Sequence, residues 1–263
     1  MTDHTAPLPG KTTLEAAGVV LAEHYEELID MLADHLVKPG DVAVDGGANG
    51  GRHTIALARR VRPDGIVHAF EPLPDLVEAN RSWAAIDGVE PFIRYHAVGL
   101  SDTHGDAEFI RNTTSPAFSS LRFAPQGMAT ETMIIPLRRL DDILPDAQVD
   151  FIKMDVEGAE YSAFRGGTAL IARTGPFIVF ENALEWAGTC FGYGRDDFFA
   201  LFTGLDLELF DAFGRRFTAA EWDSPDVGWY FCAFPVSRLA PGVYQQWVAE
   251  FWRGRIAGAT PPT

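Results

Sequence analysis

The sequence is short of cysteine and of positive charge, and it contains no long apolar run. Only Cys190 and Cys232 are present, far apart and without metal-ligand spacing. That excludes a disulfide framework and a thiolate metal centre, and fits two reduced, packed thiols. Lys and Arg number 21 against 37 Asp and Glu, for a net charge of −16. Proteins that grip the nucleic-acid backbone draw their affinity from basic residues, so no nucleic-acid partner is expected. The acid excess reads as solubility. No stretch approaches the roughly 18 continuous apolar residues of a membrane span, and the opening MTDHTAPLPGKTT lacks the apolar segment of a secretion signal. The expected location is the cytoplasm. What is present suits a folded α/β chain: 263 residues, 47% of them hydrophobic.

Apolar residues recur at helical spacing through Leu21, Tyr25, Leu28, Ile29, Leu32 and Leu36, with acids between them. DVAVD then predicts a strand, His53 to Val61 a helix, IVHAFE a second strand, and Pro74 to Ile86 a second helix. FIRYHAVGL reads as a third strand. Between Ser101 and Asp141 the rhythm breaks into two short strands, AEFI and TMIIPL, around the polar loop RNTTSPAFSSLRFAPQG; this is a substrate-contacting lid or a plain surface hairpin. VDFIKMD, a helix from Ala159 to Ala172, PFIVFE and a helix around Asp196 to Phe202 resume the alternation. LELF and GWYFCAF predict an antiparallel pair, and a last amphipathic helix runs from Val243 to Ile256. Residues 1–40 are expected to be a tail and a helix packing on the core, 41–235 the main domain with an insertion near 101–140, and 236–263 a C-terminal helix and tail. The apolar faces of the two terminal helices could pair subunits in a homodimer or pack on the sheet.

Alternating strands and helices call for a doubly wound, mostly parallel sheet with helices on both faces. Such sheets bind ligands outside the carboxyl ends of their strands. The first strand ends in Asp45 and runs into GGANGG. A dinucleotide fingerprint needs Gly-x-Gly-x-x-Gly, but counted from Gly47 the later positions fall on Asn49 and Arg52. The segment does carry Asp45-x-Gly47-x-Asn49-x-Gly51, the acidic-x-Gly-x-Gly-x-Gly pattern of S-adenosylmethionine sites with Asn in the middle. Glu71 ends the second strand 20 residues after Gly51, where a carboxylate for ribose hydroxyls is expected. Asp102 follows the third strand, at the usual place of an adenine contact. Asp155, Glu157, Glu160 and Glu181 cluster four carboxylates at the ends of the fourth and fifth strands.

DGGANGGRHT, FEPLPDLVEAN, RRLDDIL and, above all, FIKMDVEGAEYSAFRGG followed by IVFEN resemble the FkbM family of S-adenosylmethionine-dependent methyltransferases. The resemblance covers roughly residues 41–182. It implies a class I methyltransferase fold, with seven strands and the last antiparallel, and an acceptor that is a hydroxyl on a sugar, glycolipid or polyketide-like molecule. The chain departs from the family pattern at Gly50-Gly51-Arg52-His53, where an aliphatic residue, Gly and two aromatics are usual.

A hydroxyl attacks in line at the sulfonium methyl only as it loses its proton, so a general base or a metal is expected. Asp155, Glu181 and His53 are the catalytic candidates; His96 is a further candidate base. Asp155, Glu181 and Asn182 form a hard oxygen set for a candidate Mg²⁺, as in catechol-type methyltransferases; alternatively Asn182 caps the next helix and Glu181 pairs with an Arg. Lys153 shares a strand face with Asp155 and is expected to form a salt bridge there. Trp186, Phe191, Tyr193 and Trp222 are candidate walls of an acceptor pocket. The leading expectation is an O-methyltransferase acting on a small carbohydrate or glycosylated metabolite. The rivals are a nicotinamide-dependent oxidoreductase or epimerase on a similar sheet, and a non-catalytic module that binds S-adenosylmethionine.

Overall fold

The computed structural model describes residues 8–123 and 127–258, so His4, both chain ends and part of the polar loop lie outside the described residues. Two helices, α1 (Lys11–Ala16) and α2 (Leu21–Leu36), come first; α1 forms in what reads as a polar tail. Then follow β1 (Val42–Gly46), α3 (Arg52–Val61), β2 (Ile66–Phe70), α4 (Pro74–Asp87) and β3 (Ile93–His96). Next are β4 (Gly99–Leu100), β5 (Gly105–Asn112), β6 (Thr130–Arg138), α5 (Leu140–Ile143) and β7 (Phe151–Met154). The chain continues through α6 (Glu160–Arg165), α7 (Thr168–Thr174), β8 (Phe177–Glu181), α8 (Glu185–Phe191) and α9 (Arg195–Gly204). It closes with β9 (Glu208–Asp211), β10 (Tyr230–Phe234) and α10 (Val243–Gly258).

The main sheet has seven strands in the order β3-β2-β1-β7-β8-β10-β9. All neighbouring pairs from β3 to β8 are parallel, and β10 runs antiparallel to both β8 and β9. Strands buried on both faces are largely apolar: β10 is so throughout, and β7 and β8 depart from it only at Lys153 and Glu181. One face is covered by α1, α2, α3 and α10, the other by α5 to α9. Trp252, fully buried on α10, donates its indole N–H to Ala212 O at 2.8 Å, and Leu28 and Leu32 of α2 join the same core. The apolar faces of the terminal helices are thus consumed within the chain, which removes the reason to expect them to pair subunits. Among the described residues no helix is long and apolar enough to cross a membrane.

Three sequence expectations change. FIRYHAVGL is not one strand: it breaks after His96, and β4 leaves the main sheet to pair with β6. The insertion strands are longer than AEFI and TMIIPL, spanning eight and nine residues in an antiparallel pair that buries only Phe109, Asn112 and Ile135 fully. The helix from Ala159 to Ala172 breaks at Gly166-Gly167, because a Cβ at Gly166 would stand 2.0 Å from Ser101 O; a backbone crossing occupies that space. Cys190 and Cys232 are both free.

Candidate active site

The sheet reverses its order of connection between β1 and β7, and ligands in such folds bind at that crevice, outside the carboxyl ends of the strands. A cavity of about 900 Å³ opens there. Its first wall is the turn after β1. Gly47 has φ +73, and a Cβ there would lie 1.7 Å from Asp155 O, so only glycine lets β1 run this close to the end of β7. Asn49 is also left-handed, at φ +46. Its N–H donates to Glu71 Oε2 at 3.0 Å, and Glu71 Oε1 accepts from Leu73 N at 2.9 Å. Burial, partly opposed by those two N–H groups, pushes Glu71 up to about 6. Gly50 lines the cavity with open space where a Cβ would stand.

Beneath this turn lies a buried polar chain. Asn80 donates to Thr54 Oγ1 at 3.0 Å, and Thr54 donates to Asp45 Oδ2 at 2.6 Å. The other Asp45 oxygen has no hydrogen-bond partner and faces Lys153 Nζ at 3.4 Å. Lys153, 4% exposed, donates to Gly46 O and Gly47 O at 3.2 and 2.9 Å and reaches Asp155 at 3.9 Å. Burial opposes its charge, but Asp45 and Asp155 outweigh burial and hold Lys153 above its ordinary value. The salt bridge expected of it is present, with Asp45 as a nearer partner than Asp155.

The cavity floor is acidic. The Tyr230 hydroxyl donates to Asp155 Oδ2 at 3.0 Å, and a Glu181 oxygen lies within 4.8 Å of the same carboxylate. Burial and the Asp155 charge push Glu181 up to about 11, whereas Lys153 and the hydrogen bonds overcome burial and hold Asp155 low. At neutral pH the pair is one carboxylate and one carboxylic acid. Glu157, raised to about 8 by burial and by Asp155 and Glu160, completes a group whose oxygens lie within 4.8 Å of one another.

The structure brings Gly47, Asn49, Glu71, His53, Asp155 and Glu181 to this cavity. Asp45 and Gly51 support it from beneath without lining it: Asp45 is 0% exposed, and Gly51, at φ +98, packs its Cα against Asn80. Asp102 stands apart, paired with Arg165 at 3.2 Å. Asn182 also turns away; it accepts from Leu184 N at 2.8 Å and donates to Tyr193 OH at 2.9 Å. The third carboxylate that lies with Asp155 and Glu181 is Glu157. His53 Nε2 lies 2.5 Å from Glu26 and its Nδ1 3.7 Å from Asp30. Those acids outweigh burial and raise its pKa, and both ring nitrogens face carboxylates of α2. His96 stacks on Phe70 and accompanies His68 within the sheet.

The aromatic wall also differs from expectation. Trp222 and Tyr193 are buried in packing, Phe191 covers Gly158, and Trp186 stacks edge-on with Phe123; none lines the cavity. Tyr25, Trp229, Tyr230, Trp83 and Phe118 do. Tyr25 and Tyr230 had no sequence signal beyond helical and strand periodicity. The insertion contributes Pro116 to Ser119 and Leu121 to the lining, and Ser120 Oγ donates to Glu157 O at 2.8 Å.

A seven-stranded sheet with this order, one antiparallel strand inserted next to the edge, a glycine turn after β1 and an acid after β2 defines the class I methyltransferase fold. The Methyltransferase FkbM domain matches residues 45–207, more than half of the chain, and the chain belongs to that family. Among solved structures, a methyltransferase FkbM from Methylobacillus flagellatus KT is 18% identical, with a TM-score of 0.45 over 78% of this chain and 50% of that one. This chain thus spans half the length of that protein. The O-methyltransferase TomG from Streptomyces achromogenes, solved with S-adenosylmethionine, is 17% identical, with a TM-score of 0.46 over 87% and 91% of the two chains. A S-adenosylmethionine-dependent O-methyltransferase from Thermotoga maritima is 14% identical, with a TM-score of 0.44 over 80% and 64%. No curated protein matches the chain.

Proposed function

We propose that the chain is a S-adenosylmethionine-dependent O-methyltransferase acting on a hydroxyl of a small carbohydrate or glycosylated metabolite in the cytoplasm. One observation carries this reading: the Asp155 carboxylate lies at the floor of the same cavity whose wall is the bare glycine turn. The residues fit the methyl donor. Gly50 leaves room for close approach of a ligand to backbone, Glu71 holds the turn and would meet the ribose hydroxyls, and the acid-rich floor suits a cationic group. When bound, the donor supplies a methyl group on a positively charged sulfur. The protein's part is to orient and to move a proton. Asp155 is the ionised acceptor for the hydroxyl proton; Glu181, protonated, and Tyr230 fix its orientation by hydrogen bonds. His53 serves to hold α2, and with it Tyr25 and Glu26, against the cavity. Tyr25 and Trp229 supply aromatic surface suited to the apolar face of a sugar ring.

The 4.8 Å grouping of Asp155, Glu157 and Glu181 supports a second reading, in which Mg²⁺ lowers the hydroxyl pKa in place of a free base. Labelled S-adenosylmethionine offered with a panel of monosaccharides and nucleotide sugars tests the reaction, and the same assay in EDTA decides between base and metal. Calorimetry with S-adenosylhomocysteine and NAD⁺ separates the methyltransferase from a nicotinamide enzyme: binding of NAD⁺ alone would overturn the proposal. Cofactor binding without any methylated product across the panel favours the non-catalytic module.

A further inference from the structure

Resting on the methyltransferase reading above, we infer that the insertion is the wall that reads the adenine of the methyl donor: Phe118 stacks on the base, and Ser119 donates a hydrogen bond to one of its ring nitrogens. The strand ends along the crevice set the direction. Asp155 follows β7, the glycine turn follows β1, Glu71 follows β2, and Val98 to Leu100 follow β3, in the order in which those strands stand side by side. Neighbouring strands lie about 4.8 Å apart, so the first and last of these groups are separated by about 14 Å. In the donor, ribose joins the sulfur side to the base. With sulfur toward Asp155 and ribose at Glu71, the base falls past Glu71, on the β3 side.

That part of the cavity differs in kind from the acidic floor. Val98, Leu100, Phe109, Phe118, Leu121 and Ile135 line it, and among the described residues past Glu71 the single polar side chain in the lining is Ser119. Asp102, expected here from sequence, is held outside by Arg165. A flat base with apolar faces and a polar edge matches such a slot, whereas a sugar would leave most of its hydroxyls unanswered. Ser119 is 6% exposed. Its Oγ accepts from Asn112 N at 3.0 Å, and its hydroxyl proton meets no acceptor among the described residues. The ring nitrogens of adenine accept, so a free O–H is the complementary group. Of the insertion's other rings, Phe109 is buried in a small core and Phe123 packs on Trp186. Phe118 is 46% exposed at the cavity and meets no other ring among the described residues.

Both residues are held in place from several directions. Leu73, Phe109 and Ile135 form the small core, with Leu121 and Leu137 packed against it, so the hairpin is fixed to the segment that follows Glu71. Ser120 exchanges two backbone hydrogen bonds with Ile110, at 2.9 and 3.0 Å, and its Oγ donates to Glu157 O at 2.8 Å. Asn112, fully buried, accepts from Thr114 N and Ser115 N at 3.0 and 2.9 Å and shapes the turn that leads into Phe118. A base entering the slot meets Phe118 and Ser119 already positioned, which spares the entropy of ordering a loop. The insertion is therefore a cofactor wall, in place of the acceptor lid or plain hairpin that its sequence leaves open.

The test is calorimetric titration of the full chain with S-adenosylhomocysteine and with its 1-deaza, 3-deaza and 7-deaza analogues, each of which exchanges one adenine ring nitrogen for C–H. Wild type is expected to bind one of the three about three- to tenfold more weakly than S-adenosylhomocysteine. Ser119→Ala is expected to weaken S-adenosylhomocysteine by a similar factor and to bind that analogue and the parent alike. Ser119→Thr, which keeps the hydroxyl, is expected to restore the difference. A purely structural role would weaken all four ligands together at an unchanged ratio, and that result overturns the assignment of Ser119. Where Ser119→Ala fails to fold, the wild-type series still decides, since equal binding of all four ligands overturns the hydrogen bond. Phe118→Ala is expected to weaken S-adenosylhomocysteine at least about fivefold at an unchanged melting temperature. Unchanged affinity in that variant overturns the stacking role, and a raised KM for the acceptor beside it would make the insertion an acceptor wall. Failure of wild type to bind S-adenosylhomocysteine overturns the methyltransferase reading instead.

Discussion

Replacing Lys153 by Met should be among the most damaging single changes that leave the apolar packing of this sheet intact. Met keeps most of the stem length and volume, so β7 loses little packing. What it loses is an ammonium that satisfies three buried groups: Gly46 O, Gly47 O and the Asp45 carboxylate. Asp45 is 0% exposed, and the oxygen facing Lys153 has no hydrogen-bond partner, so removal of the ammonium strands a charge that water cannot reach. Breaking a buried ion pair from one side costs about 3–5 kcal/mol, against a total stability of about 5–15 kcal/mol for a typical domain. In urea denaturation followed by tryptophan fluorescence, the midpoint should fall sharply with little change in slope. Asp45→Asn added to Lys153→Met should restore a large part of the loss, because no buried charge is then left unpaired. As a surface control, Arg216→Met breaks an exposed bridge to Glu208 and should cost less than about 1 kcal/mol. A Lys153→Met cost below about 1 kcal/mol, or a double variant that simply adds the two single losses, would refute the role given to this ion pair.

Gly50→Ala should fold with wild-type stability, since its Cβ meets nothing within 4 Å, yet weaken S-adenosylhomocysteine measurably; unchanged affinity would mean that the ligand does not approach this turn. Gly47→Ala should fail to fold, because its Cβ would meet Asp155 O at 1.7 Å with φ at +73; a soluble, cooperative variant in thermal melts would contradict the close approach. Glu71→Ala removes the acceptor of the Asn49 and Leu73 N–H groups and should weaken cofactor binding by about 1–3 kcal/mol in calorimetry. Glu157, Glu160 and Glu71 are held at about 8, 7 and 6 against an ordinary 4.5, so the folded chain keeps protons that the unfolded chain has released. Stability should therefore fall as pH rises from about 4.5 to 8, His53 adding in the same direction above pH 6.5, and Glu157→Gln should flatten the upper part of that decline. A melting temperature that rises across this window would show that these acids are not buried as described.

The fold was legible wherever local pattern and global burial agree. DVAVD, IVHAFE and PFIVFE are short apolar runs with acids at their carboxyl ends, and they become β1, β2 and β8 with their acids at the crevice or beneath it. The misreadings fall where a tertiary contact overrides pattern. His96 ends β3 although FIRYHAVGL stays apolar, since β4 has a second sheet to join. Gly166 interrupts a good helical period because Ser101 backbone lies against it. Neither contact leaves a trace in the residues that flank it.

The site divides along the same line. Spacing within one strand and turn is local, and so Gly47, Asn49, Glu71, Asp155 and Glu181 could be placed from sequence. Direction of a side chain after a strand ends is not local. Asn182 follows Glu181 immediately, yet Tyr193 and Leu184 draw it away from the floor. Glu157 lies three residues beyond the strand end and points back, because Glu160 and Ser120 bend the turn through a left-handed residue. A strand reading assigns side chains by alternation, which places Asp155 correctly and has nothing to say once φ changes sign. The motif Asp-Val-Glu-Gly-Ala-Glu can be understood physically on that basis: its first acid is the ionised floor, its last braces the turn, and its middle acid is the one the turn is built to present. Exchanging Glu160 for Ala and Glu157 for Gln should separate these roles. Loss of the brace should lower stability, whereas Glu157→Gln removes an acid held at about 8 and should raise stability above neutral pH.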